Sequence, residues 1–223
     1  SFGYAPTSGD YHVDHHAIEY APSDNNKMVF GNDGGIFTST DGGATWTHAG
    51  NLPITQFYAG TIAAQSVNYV MGGAQDNGAL LYSGVLGWNV MQTGDGASMA
   101  FDFTDPDRFR YASWQNLNIV KTNNGGANWF SATTGLLDAN TNNTGFISPF
   151  VMCPNDAQTL IAGSNNVWRT TNGAGLWSPN SPDPLDGGST ITALAFAPST
   201  GNCGTYFAGD VSGRLFRTMS AGA

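Results

Sequence analysis

Three aspartates stand in turn-forming, glycine-rich segments where a carboxylate has room to meet a ligand. They are Asp33 in Asn32-Asp33-Gly34-Gly35, Asp76 in Gln75-Asp76-Asn77-Gly78, and Asp95 in Gly94-Asp95-Gly96. Two carboxylates with pKa values pushed apart can act one as acid and the other as base or nucleophile, which is what cleavage of a glycosidic bond requires. Asp33, Asp76 and Asp95 are therefore the candidate catalytic residues. The plainer reading is that each aspartate caps its own hairpin, since Asp-Gly and Asp-Asn-Gly are ordinary turn sequences. Three of the four histidines fall in His12-Val13-Asp14-His15-His16. In an extended segment His12, Asp14 and His16 share one side, and imidazoles with a carboxylate are suitable metal ligands. A metal ion held there is the one cofactor left open. The spacing matches no standard zinc motif, and His16 can instead open a strand and hydrogen-bond a neighbour. Trp114, Gln75, Asn32 and His16 are the candidate substrate-binding residues. An indole in a turn offers a face to a sugar ring, and Trp168 and Tyr82 are further aromatic candidates. Packing between elements is the competing role for all three rings.

The elements that must position these residues repeat. Trp46, Trp88, Trp129 and Trp177 recur at intervals of 42, 41 and 48 residues. Three of them close a shared turn: Ser39-Thr40-Asp41-Gly42-Gly43-Ala44-Thr45 before Trp46, Thr122-Asn123-Asn124-Gly125-Gly126 before Trp129, and Thr170-Thr171-Asn172-Gly173-Ala174 before Trp177. An apolar strand ending in a polar turn recurs in phase, as in Phe150-Val151-Met152-Cys153-Pro154 and Leu194-Ala195-Phe196-Ala197-Pro198. A short strand running into glycine follows, as in Met28-Val29-Phe30-Gly31 and Leu160-Ile161-Ala162-Gly163. Four short strands in every forty to fifty residues are the mark of a propeller blade. The expected fold is all-β, a β-propeller with about five four-stranded blades near residues 16–50, 55–92, 96–133, 145–180 and 189–223. Residues 1–15 are expected to be an N-terminal extension or a closing strand. The fifth unit stops inside its turn, two residues short of a tryptophan, so the chain reads as part of a larger ring. Its partners would then include the remaining blades of a longer chain or a second copy.

The shared turn resembles the Asp-box, or BNR, repeat: Ser/Thr-x-Asp-x-Gly-x-x-Trp. The first copy matches throughout, the second has Asn124 for Asp, and the third has Ala174 for Gly. The stretch from Asp14-His15-His16-Ala17-Ile18 through Gly31-Asn32-Asp33-Gly34-Gly35-Ile36, Gln56-Phe57-Tyr58 and Gly73-Ala74-Gln75-Asp76-Asn77-Gly78 is similar to secreted bacterial BNR-repeat proteins of the glycosyl hydrolase kind. Wider relatives include sialidases, xyloglucanase-type endoglucanases, sortilin-type receptor domains and a photosystem assembly factor. The resemblance implies a secreted, extracellular bacterial protein that cleaves or binds a polysaccharide or glycan. A non-catalytic protein-binding or structural scaffold is the alternative. A sialidase would need an arginine triad, which the placement of Arg108, Arg110, Arg169, Arg214 and Arg217 does not support. In the repeat register the Asp-box turns share one face with the first turn of each blade. The second turns and the blade-to-blade links, which carry the candidate aspartates and histidines, share the other.

Composition narrows the partners. Seven Lys and Arg against sixteen Asp and Glu leave a net charge of −9, and no basic cluster exists to neutralise phosphates, so nucleic acid is excluded as a partner. No apolar run approaches the ~20 residues of a membrane span. Charged residues make up 10% of the chain and Gly supplies 30 residues, a composition of turns and amides suited to an all-β protein. Cys153 and Cys203 can form one disulfide or remain two small buried thiols, and the thiols are the expectation.

Overall fold

The computed structural model describes residues 12, 14–50, 52, 54–182, 184–185, 187–198 and 203–221. Most of the extension or closing strand expected in residues 1–15 lies outside them. The first blade runs β1 His15–Ala21, β2 Asp24–Asn32, β3 Gly35–Ser39 and β4 Thr47–His48. The second runs β5 Phe57–Ala63, β6 Ser66–Ala74, β7 Gly78–Tyr82 and β8 Asn89–Gln92. The third runs β9 Met99–Phe101, β10 Arg110–Trp114, β11 Asn118–Thr122 and β12 Phe130–Ser131. The fourth runs β13 Phe150–Cys153, β14 Asp156–Gly163, β15 Val167–Thr170 and β16 Ser178–Pro179. The fifth has β17 Ile191–Phe196, β18 Tyr206–Asp210 and β19 Leu215–Thr218. Each sheet is an antiparallel meander in chain order. The fifth departs from the expected four strands: it has three among the described residues.

Each of the first four fourth-strands begins directly after a repeat tryptophan, and the turn before it explains why. In the first turn Ser39 Oγ donates to Asp41 Oδ1 at 2.8 Å, the Gly43 amide donates to Ser39 Oγ at 2.9 Å, and the Thr45 amide donates to Asp41 Oδ1 at 2.8 Å. The second turn repeats this with Thr122 Oγ1 to Asn124 Oδ1 at 2.9 Å and the Asn128 amide to Asn124 Oδ1 at 3.0 Å. The third uses Thr170 Oγ1 to Asn172 Oδ1 at 2.8 Å and the Leu176 amide to Asn172 Oδ1 at 2.9 Å. Asparagine replaces aspartate because the turn needs an acceptor oxygen, not a charge. Where the charge is present, the bonds from Thr45 and Ser39 hold Asp41 down to about 2. The fifth residue of each turn lies at positive φ, 90° at Gly43, 96° at Gly126 and 55° at Ala174. Ala174 therefore bears left-handed strain of roughly 1 kcal/mol, and it is fully buried.

The cores lie between blades. Met71 and Leu81 of the second blade bury against Met99, Phe101, Ala112 and Val120 of the third. Tyr111, Leu117 and Ile119 bury against Phe150, Leu160, Ala162 and Trp168 of the fourth, with Trp177 closing the cluster. Ile161 and Val167 bury against Ile191, Tyr206 and Ala208 of the fifth. A blade sandwiched in this way is buried on both sides, as in the run Arg110 to Ser113, whereas β1 is exposed along nearly its whole length. The sheets form an arc that does not close into a ring.

Cys153 and Cys203 are joined by a disulfide with Cα atoms 5.8 Å apart, which corrects the expectation of two thiols. Cys153 ends β13, and Cys203 lies on the segment entering β18, so the bond staples the fourth blade to the fifth. It became possible only when blade packing brought two residues 50 apart in sequence together. Closing a loop of that length removes denatured-state entropy worth about 4 kcal/mol. Cys203→Ser is expected to lower the melting temperature by roughly 10 °C, measured by thermal circular dichroism. An unchanged melting temperature would show that blade packing alone sets this stability.

Candidate functional site

The β2–β3 turn of the first blade, the β6–β7 turn of the second and the link entering the third converge at one end of the blades. His12, ahead of β1, is wedged among them. A Cβ on Gly34 would lie 2.5 Å from the Cβ of His12, so glycine is required where that backbone passes. His12 is buried. Its Nε2 bonds the Asp76 carbonyl at 2.8 Å, and its own carbonyl accepts from Asn32 Nδ2 at 2.8 Å. Asn32 Oδ1 in turn accepts the Gly34 amide at 3.0 Å. Asn77 Nδ2 donates to the Asp33 carbonyl at 3.2 Å, tying the first turn to the second. The second is tied to the third blade through Asp95, whose Oδ1 accepts the Asp76 amide at 3.0 Å and whose Oδ2 accepts Gln115 Nε2 at 2.7 Å.

Within this frame an oxygen from each of Asp14, Asp33 and Asp76 lies within 4.8 Å of the others. His16 hydrogen-bonds and ion-pairs with Asp33. The hydrogen bond from His16 holds the Asp33 carboxyl below its ordinary value of 3.8, helped by a bond with Asp76. Asp76 moves the other way: desolvation raises it first, then the bond with Asp33 and the charges of Asp95 and Asp33. His16 is raised above 6.5, by its bond to Asp33 first and then by the Asp33 charge. Two carboxyls this close oppose one another's ionisation, which adds to the rise at Asp76. Asn32, Asp33, Ile54, Thr55, Gln56, Gln75, Asp76 and Asn77 line a cleft of about 290 Å³. Among the described residues the Thr55 hydroxyl in its wall makes no hydrogen bond.

Asp33 and Asp76 therefore meet, although they come from different blades. Asp95 does not join them as a free carboxylate: both its oxygens hold backbone or amide N–H groups, and it is nearly buried. It acts as a positioning residue for Asp76. The proposed ligand set His12, Asp14 and His16 is not brought together either. His12 Nε2 is directed at a carbonyl and His16 at Asp33, so Asp14 faces two carboxylates instead of two imidazoles. Gln75 lines the cleft, but the Asn32 amide is spent on its own turn and on His12. Trp114 is half-buried against the core between the second and third blades, and Trp168 is buried with Nε1 donating to Asp138 Oδ2 at 3.0 Å. The Trp168 indole is therefore closed to a sugar, whereas Trp114 packs only in part on that core.

Sequence reasoning missed Asp138. In the link entering the fourth blade it accepts from Ser164 Oγ at 2.6 Å, Asn143 Nδ2 at 2.8 Å and Asn166 Nδ2 at 3.2 Å. It clamps the turn after β14 much as Asp95 clamps the turn after β6, and only its position in a link hinted at this. The arginines do not form a carboxylate clamp. Arg110 is buried on the Pro106 and Gly125 carbonyls, Arg169 on the Cys203 carbonyl, and Arg214 on Asp210.

Repeated antiparallel blades with their functional turns gathered at one end define a β-propeller chain. No family model matches the chain, and no curated protein matches it. Solved structures share its fold. The GH74 enzyme from Niastella koreensis aligns at TM-score 0.56 and 17% identity, over 93% of this chain and 37% of that one. The GH74 xyloglucanase from Xanthomonas campestris aligns at TM-score 0.54 and 16% identity, over 93% and 37%. YCF48 bound to D1 peptide aligns at TM-score 0.53 and 14% identity, over 96% and 66%. The chain thus spans about a third of the length of the GH74 structures it matches. At these identities the likeness is one of fold.

The His16–Asp33 pair is charged between the lowered pKa of Asp33 and the raised pKa of His16. The imidazolium's contribution is complete below pH 6.5 and lost as pH rises through the raised value. The carboxylate's is complete above pH 3.8 and lost as pH falls through the lowered value. His16→Ala is expected to move the Asp33 titration upward, read by carboxyl-carbon NMR. An Asp33 titration unmoved by the substitution would show that His16 does not set it.

Proposed function

We propose that this chain is a carbohydrate-active propeller, glycoside hydrolase-like or glycan-binding, whose site is the cleft at Asp33 and Asp76. The observation that carries the reading is the meeting of two carboxyls from different blades, within 4.8 Å of one another beside a polar cleft, with Asp33 pushed downward and Asp76 upward. Such a split lets one aspartate remain ionised as base or nucleophile while the other holds a proton to donate. Asp33 takes the first role and Asp76 the second. An oxygen of each lies within 4.8 Å of the other, which leaves no space between them for the water that an inverting pair, roughly 6.5–9.5 Å apart, must hold. The amides of Gln56 and Gln75 and the free hydroxyl of Thr55 around the cleft suit the hydroxyl groups of a sugar. The similar fold of GH74 enzymes, one named a xyloglucanase, supports the same class. The repeated turn hydrogen bonds support membership among Asp-box proteins. The Cys153–Cys203 disulfide supports secretion to an oxidising, extracellular compartment.

The test is hydrolysis of a panel of plant and microbial polysaccharides, read as reducing-sugar release alongside binding to arrayed glycans. Asp33→Asn and Asp76→Asn are each expected to lower turnover by roughly 100-fold or more, with binding largely kept. Binding without turnover by the wild type would select a lectin role. Neither binding nor turnover would favour the non-catalytic, protein-binding alternative, to which the fold of YCF48 bound to D1 peptide corresponds.

A further inference from the structure

The turn that carries Asp33 consists of Asp33 and Gly34, between β2 and β3. Three side chains hold its backbone. Asn77 Nδ2 of the second blade donates to the Asp33 carbonyl at 3.2 Å, and Asn32 Oδ1 accepts the Gly34 amide at 3.0 Å. The third is His48, whose Nε2 lies 3.2 Å from the Gly34 carbonyl oxygen. A carbonyl can only accept, so Nε2 carries the hydrogen in this bond. The backbone also runs close against the imidazole: a Cβ on Gly35, at φ 126°, would lie 2.9 Å from Nε2.

His48 is the last residue of β4. It pairs with Phe37 across the sheet, and the two rings lie 4.8 Å apart. The first repeat turn and Trp46 stand just ahead of β4, at the opposite end of the blade. This strand thus runs from the repeat turn to the site, and His48 is its contact there. The residues at the same register in the next three blades are Val90, Ser131 and Pro179, paired with Leu80, Val120 and Trp168. Valine and proline have no side-chain donor, and Ser131 Oγ pairs with Thr133 Oγ1 at 3.0 Å. Among the described residues of these four blades, the fourth strand sends a side-chain donor to the turn after the second strand in the first blade alone. That turn bears Asp33.

Where Asp33 stands decides how the two carboxyls act on one another. Its bonds with His16 and Asp76 hold it down, and its bond and charge help to push Asp76 up. Such bonds weaken steeply as their partners part or tilt. We propose that His48 is a positioning residue of this site: by holding the Gly34 carbonyl it fixes the Asp33 carboxyl in its place against Asp76. His48 touches no ligand and acts through the Asp33–Gly34 turn. Its effect on turnover rests on the carbohydrate reading given above; its effect on the two carboxyls does not.

The test is carboxyl-carbon NMR titration of Asp33 and Asp76 in the wild type, His48→Phe and His48→Gln, with polysaccharide hydrolysis measured alongside. Phenylalanine keeps a ring on Phe37 and removes the donor. Glutamine restores an N–H near the place of Nε2. In His48→Phe the Asp33 titration is expected to rise and that of Asp76 to fall, both toward 3.8. There kcat should drop roughly tenfold or more, with KM little changed. His48→Gln should titrate and turn over like the wild type. If His48→Phe does not fold, His48→Asn, whose shorter amide stops short of Gly34, takes its place. Titrations unmoved by the loss of the donor overturn the inference, whatever the activity. So do titrations displaced as far in His48→Gln, since the fit of the imidazole and not its hydrogen bond would then be responsible. Titrations that converge and are restored by glutamine, in a chain that neither binds nor cleaves a glycan, uphold the positioning role and overturn the carbohydrate reading instead.

Discussion

A blade of four short strands has two apolar faces and can bury neither by itself. Every other feature of this chain depends on the neighbour that each face must find. Leu160, Ala162 and Trp168 are dry because the third blade lies against them, and Ile161 and Val167 because the fifth does. The same stacking lines up equivalent turns at each end of the blades. One end collects the repeat turns, whose hydrogen bonds are complete within a few residues and serve the strands they join. The other collects the turns after β2, β6 and β10 and the links between blades, where bonds run from one blade to another. The candidate carboxylates gather at the second end, where turns and links of different blades meet.

The carboxylate cluster is a product of that crowding. Asp33 and Asp76 each sit in a turn that would be unremarkable in isolation. Stacking the first blade beside the second, with His12 wedged between and Asp95 holding the Asp76 amide, forces the two carboxyls within reach of one another. Their unequal surroundings then push the two carboxyls in opposite directions. Asp33 has His16 to stabilise its charge, whereas Asp76 faces desolvation and two neighbouring carboxylates. With charged residues at only 10% of the chain, few other charges compete with this local arrangement.

The repeat period made the strands, the turns and their assignment to one end or the other legible in advance, because those properties are set within forty or so residues. Asp33 and Asp76 were legible for the same reason, as carboxylates at equivalent turn positions. The roles of Asp95, Asn32 and Trp114 were not. Each is of a type suited to a ligand, and each meets a partner that another segment supplies: Asp95 meets Asp76 and Gln115, Asn32 meets His12, and Trp114 packs in part on the core. The histidine cluster misled in a related way. Close spacing in sequence suggested convergence on one ion, but His12 bonds the Asp76 carbonyl of the second blade and His16 bonds Asp33.

By itself, then, the sequence determined a repeated antiparallel blade, its hydrogen-bonded turns and the face on which polar residues collect, since glycine, asparagine and a 2-residue strand period act locally. Tertiary structure alone decided which of those polar residues remain available. It also decided that Cys153 meets Cys203, that Asp33 is pushed down while Asp76 is pushed up, and that Lys121 and Arg169 each reach a backbone carbonyl of the next blade. Each of these depends on distances and desolvation between segments far apart in the chain, and no local pattern encodes either.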